Sequence, residues 1–156
     1  MLGNDASSAT LAGQNLTLSG EQDLGEQLVP EGSGGLLAAL HVWRRLLVQG
    51  PERFGEVYYL GTTPVAGQEA MCDVLVGVFD VLETHFYFAP ASGRLVALEM
   101  FSDANADPCE ISLSDFRETS PGRFFPMRLL VRHGDQTFAD IQWDQIELPN
   151  GGGGEA

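Results

Sequence analysis

Apolar positions change their period once along the chain, and the change divides it. Between Leu36 and Leu47 the residues Leu36, Ala39, Leu40, Trp43, Leu46 and Leu47 recur at helical spacing, while His41, Arg44 and Arg45 fall elsewhere. The spacing predicts an amphipathic helix whose stripe packs on an apolar surface. Gly50 and Pro51 end it, because glycine accepts a left-handed cap and proline cannot continue the hydrogen-bond ladder. After Phe54 the period falls to two, and turn residues recur at the short intervals of consecutive hairpins.

The first run, Glu56 to Leu60, is rich in β-formers and leads into a turn over 63–67. Met71 to Phe79 then puts Cys72, Val74, Val76 and Val78 on one face. Thr84 to Ala89 is joined to Arg94–Phe101 through Pro90-Ala91-Ser92-Gly93, where proline presets the turn and glycine supplies a positive φ. Beyond a polar loop, Cys109–Leu113 turns Cys109, Ile111 and Leu113 to the core. Arg123–Arg132 turns Phe125, Met127, Leu129 and Val131 the same way, and Pro126 within it marks an edge or a bulge. His133-Gly134 reads as a two-residue hairpin loop into Gln136–Leu148. In that run Ala139, Ile141 and Trp143 share a face and Ile146 and Leu148 take the other, which predicts a bulge near Asp144. The expected fold is α+β and mainly β: a curved antiparallel meander sheet, an open half-barrel, with one N-terminal helix packed on it.

Residues 1–35 hold neither a base nor an aromatic residue, and are expected to form a disordered acidic leader or linker in which Leu16-Thr17-Leu18 pairs weakly as a strand. The folded domain is expected over 36–148, with a flexible glycine-rich tail over 149–156. Arginine is the only strong base, and the formal net charge of -14 opposes a phosphate backbone, so nucleic acid is not an expected partner. No apolar stretch reaches the roughly 20 residues of a membrane-spanning helix. The N-terminus has no basic n-region and no apolar h-region, as expected of a cytoplasmic protein or of a piece of a longer secreted one. Cys72 and Cys109 are too few for a disulfide framework. They are read as two half-buried thiols or as one cross-strand disulfide formed in an oxidising compartment.

Catalytic signatures are missing: there is no G-x-S-x-G elbow, no Walker loop and no H-E-x-x-H. His41, His85 and His133 fall on different elements without a ligand at metal-binding spacing. Asp103 and Asp107 are explained as turn formers, and the loop between them lacks the glycine and distal glutamate of a calcium hand. No catalytic residue, metal or cofactor is expected. The aromatics Tyr58, Tyr59, Phe79, Phe86, Tyr87 and Phe88 populate both faces of neighbouring strands. Either the helix and loops bury them, or an apolar groove is left open for a lipid or a protein partner. Trp43, Tyr59, Phe86, Phe88, Met100 and Met127 are the candidate lining of such a groove.

Phe86-Tyr87-Phe88-Ala89-Pro90-Ala91-Ser92-Gly93-Arg94-Leu95 resembles the Y-x-F-D-x-x-T-G-x-L hairpin of the LolA/LolB-like envelope proteins. Phe116-Arg117-Glu118 with Gly122-Arg123-Phe124-Phe125-Pro126 is similar to a second strand exchange of that family, and the likeness covers about half the chain, from Tyr58 to Asp135. Tyr58-Tyr59-Leu60-Gly61-Thr62, Glu99-Met100-Phe101, Asp107-Pro108-Cys109-Glu110 and Arg132-His133-Gly134-Asp135 are similar to LolA-like modules in the C-terminal regions of secreted bacterial trypsin-like serine proteases. Ala89 departs from the family's aspartate. The resemblance implies an unclosed barrel around helices, a periplasmic or envelope location as part of a longer exported protein, and a non-catalytic module that contacts a hydrophobic or protein ligand. Its alternative is a structural accessory domain of a protease whose catalytic domain is absent here.

Overall fold

The structure is a computed structural model, and it describes residues 6–11, 13–19 and 22–146. Among the described residues nine strands and two α-helices run in the order β1 (Ala6–Leu11), β2 (Gln14–Ser19), α1 (Leu36–Gln49), α2 (Pro51–Phe54), β3 (Glu56–Thr63), β4 (Cys72–Phe79), β5 (Leu82–Phe88), β6 (Leu95–Phe101), β7 (Cys109–Ser120), β8 (Arg123–His133) and β9 (Gln136–Gln142), with one 3-10 turn, Leu24–Glu26, between β2 and α1. β1 and β2 form a separate hairpin, and β3 to β9 make one sheet in which every strand lies antiparallel beside its sequence neighbour. The sheet is open, with α1 packed on it. The expected meander and its seven runs are therefore present, and the physical reason is that no segment between them is long enough for a crossover helix.

Pairing registers carry one apolar row across the helix-facing side: Leu75, Phe86, Leu98, Ile111, Val131 and Ala139 are successive cross-strand partners. Against this row α1 lays Leu37, Ala38 and Val42, all buried. The helix is rotated from the expected stripe. Leu47 is 71% exposed, while His41, expected off the apolar face, is buried. Ala38 and Ala39 are fully buried, α1 comes closest to the β1–β2 hairpin and to α2, and the longer Leu40, Trp43 and Leu46 pack half-buried against the core. Arg45 fixes the next turn, its Nε donating to the Phe54 carbonyl at 2.7 Å and its guanidinium lying 3.9 Å over the Phe79 ring.

The expectation of a disordered leader does not hold for the described residues of 1–35. Besides the β1–β2 hairpin, Leu18 and Leu24 are buried in the main core. Gln27 ties this segment together, accepting from the Ser19 amide at 2.7 Å and donating back to the Ser19 carbonyl at 2.9 Å. Ser33 is buried, and its hydroxyl accepts from the Leu36 amide at 3.0 Å, satisfying a free donor at the start of α1. Average composition predicted disorder, but a few leucines at the right places and local hydrogen bonds suffice. The expected tail, 149–156, and Leu148 lie outside the described residues.

Turn positions also differ in detail. Gly134-Asp135, one residue later than expected, link β8 to β9, because His133 already pairs with Gln136 and Gly134 carries the positive φ of 58°. The bulge expected near Asp144 occurs instead at Phe138, where the register shifts opposite Val131 and Arg132. Pro126 lies past the last β8–β9 pair, Arg128 with Gln142, so its missing N–H costs no bond to β9.

Candidate binding surfaces

Strand alternation sends a second row to the side away from the helix. Tyr58, Val76, His85, Glu99, Glu110, Arg132 and Thr137 are successive cross-strand partners there. Two carboxylates, Glu99 and Glu110, thus stand directly opposite each other, an arrangement that destabilises a sheet unless a proton or a cation intervenes.

They border a cleft of about 370 Å³ lined by Tyr87, Glu99, Glu110, Leu130 and Arg132, together with Thr63 at the end of β3 and residues 64–66 of the β3–β4 connection. Inside it the Tyr87 hydroxyl donates to the Glu99 carboxylate. Burial, then that bond, raise the Tyr87 pKa, so the phenol stays protonated at neutral pH. Burial is also the main cause of the raised Glu110 pKa; Glu99 adds to it, Arg132 opposes it and Asp107 adds a smaller push. The cleft accordingly combines a neutral donor, two facing carboxylates and a cation on its margin. Such a set can hold a positively charged group between the carboxylates, or share a proton between them.

None of the expected lining residues belongs to this cleft. Phe86, Met100 and Met127 are buried, the first two inside the main core, and Trp43 and Phe88 are half-buried against it. Tyr59 is exposed on β3, its hydroxyl donating to Asp73 at 2.9 Å. The disulfide reading is corrected: Cys72 and Cys109 are both buried free thiols. They sit on β4 and β7, three strand spacings apart, and alternation turns them to opposite faces. The strand spacings alone separate them by on the order of 14 Å, and Cys109 stands level with Gly77, five residues along β4 from Cys72, so the pair is far beyond a disulfide's reach.

His85 is bonded to Glu83 at 2.7 Å and tilts against Phe101, and His133 Nδ1 lies 3.2 Å from the Pro108 carbonyl. Among the described residues no group of three His, Cys, Asp or Glu side chains is placed to hold a metal ion. No described helix is long and apolar enough to cross a membrane.

Sequence reasoning missed Tyr87, Glu99, Glu110 and Arg132 as a group. Alternation marks each as facing away from the core, but only the registers of three successive hairpins make them neighbours. A second surface stands out at the sheet edge, where Tyr58, Tyr59 and Leu60 of β3 are exposed in sequence. No family model, curated protein or solved structure matches the chain.

Proposed function

We propose that this chain is a non-catalytic binding module whose outer-face cleft receives a positively charged group of a protein ligand. One observation carries the reading: Glu99 and Glu110 face each other across β6 and β7 at the wall of a cleft large enough for a side chain. A guanidinium or ammonium group placed there relieves the repulsion that the sheet otherwise bears, and the formal charge of -14 draws such a ligand in. Of the two ligand classes that the sequence suggested, a protein ligand fits the accessible surface better than a lipid, because Phe86 and Met100 are closed within the packed core. In a longer polypeptide the ligand can be a covalently linked neighbour, such as the protease domain that the family resemblance implies.

The test is titration of the chain with a capped Gly-Arg-Gly peptide, followed by amide chemical shifts. Shifts clustered on β5, β6 and β7 around Tyr87, Glu99 and Glu110 are expected, with affinity reduced roughly tenfold in Glu110→Gln and unchanged in Glu52→Gln, a distant exposed carboxylate. Equal weakening by both substitutions would mean that only the overall charge attracts the peptide, and the reading would fall.

A further inference from the structure

The sheet has two free edges, and they are protected unequally. At one end β9 is seven residues long, bulged at Phe138, and carries Asp140, whose carboxylate accepts two bonds from Arg128 at 2.7 and 2.9 Å. Both edge strands are bulged, so it is charge, a usual means by which a sheet edge resists further pairing, that distinguishes them. At the other end, β3 runs for eight residues and is paired with β4 alone. Not one charged residue occurs between Glu56 and Glu69, in a chain whose acids outnumber its bases by 14. Along that charge-free stretch Tyr58, Tyr59 and Leu60 are 43%, 59% and 57% exposed, with Met71 also exposed nearby in sequence. Backbone donors and acceptors on the outer side of this strand have no partner strand among the described residues.

We propose that β3 is a homodimer interface, in which β3 of a second copy of the chain pairs antiparallel across a two-fold axis and joins the two sheets into one. The inference is independent of the cleft. Charge selects the occupant. A basic segment would find no carboxylate along Val57–Thr63 to meet, whereas a second β3 brings an equally charge-free strip. A symmetric antiparallel pairing centred anywhere from Tyr58 to Leu60 sets Glu56 opposite an uncharged residue, so neither copy places like charges across the junction. Tyrosine and leucine side chains then cover one another on the two faces of the continuous sheet, and the edge amides gain carbonyl partners. The bulge between Tyr59 and Gly61 limits the pairing to a short ladder. The net charge of each copy opposes approach at a distance, which makes association depend on screening.

Sedimentation equilibrium of the full chain tests this, since the monomer is 16.8 kDa. A reversible dimer is expected, and it tightens severalfold as salt rises from about 0.05 to about 0.5 M, because the Debye length falls from roughly 14 to roughly 4 Å. Leu60→Glu should weaken the dimer at least tenfold without altering the circular dichroism spectrum, since the side chain is largely exposed. Leu47→Glu, on the exposed side of α1, should leave it intact. Amide exchange at Val57–Gly61 should slow with rising protein concentration. A single 16.8 kDa species at every concentration would overturn the proposal. So would a dimer indifferent to Leu60→Glu, one dissociated by Leu47→Glu, or one that loosens as salt is added.

Discussion

Gly77 on β4 is the point at which the short helix α2 meets the sheet, and replacing it with alanine tests how tightly that contact is made. Its backbone does not lie in the left-handed region, so alanine is permitted there on conformational grounds. Space is the obstacle. A Cβ at Gly77 would lie 2.6 Å from Cε1 of Phe54, 3.1 Å from Cζ and 3.2 Å from Cδ1, meeting a whole edge of the ring. Phe54 has no room to withdraw: it is fully buried, with the rings of Phe79 and Phe86 edge-on at 6.1 and 6.0 Å. Overpacking of this kind costs about 1–3 kcal/mol, and Gly77→Ala should lower the urea midpoint accordingly. Phe54→Ala removes a fully buried ring and should cost about 3–5 kcal/mol. In the double variant the clash disappears and the new methyl fills part of the void. The combined loss should therefore fall short of the sum of the single losses by at least about 1 kcal/mol. Equilibrium urea unfolding of the four proteins, followed by tryptophan fluorescence, supplies the cycle. Additivity within about 0.5 kcal/mol would refute the close approach of Phe54 to Gly77.

Three further outcomes follow from titratable groups that the fold buries wholly or in part. His41 is held below its ordinary pKa first by burial and then by the charges of Arg45 and Arg44, so its contribution to stability is complete above about pH 6.5 and is lost as the pH falls further. His41→Leu should flatten the slope of unfolding free energy below that pH, as measured by urea titration across a pH series. Glu110 has the opposite linkage: its raised pKa makes the folded state favour the protonated carboxyl, so stability from this group is present at acid pH and disappears as the pH rises through the folded-state value. Glu110→Gln should be more stable than the parent at pH 7, with the gap closing on acidification; a gap that widens on acidification would contradict the facing carboxylates. Cys109, whose thiol burial pushes up to about 12, should resist alkylation at pH 8 in the folded chain and react at once in urea. Mass spectrometry of the labelled protein checks this, and added reductant should leave the urea midpoint unchanged because both thiols are free.

Much of the fold was written in local pattern. Period-two alternation located all seven strands of the main sheet, and Gly50-Pro51 marked the end of α1, because side-chain direction and backbone freedom are properties of a few adjacent residues. The Asp80-Val81 turn carried a weaker signal: aspartate takes the positive φ of 55° there, where a glycine would have announced the hairpin. The helix face was misjudged because Ala38, Val42 and His41 are unremarkable in sequence, and the pattern of α1 alone does not show that the N-terminal hairpin packs beside it, with Leu18 and Leu24 in the same core.

The candidate sites lie at the far end of this scale. The chain by itself determined that strands follow one another as hairpins and that their alternate residues divide between a packed and an open side. Tertiary structure alone decided that Glu99 meets Glu110, that Phe86 and Met100 are sealed in rather than lining a groove, and that β3 ends the sheet with Tyr58, Tyr59 and Leu60 uncovered. Alternation is local, but register sums over hairpins and bulges, and a one-residue slip in any of them would have set different neighbours face to face.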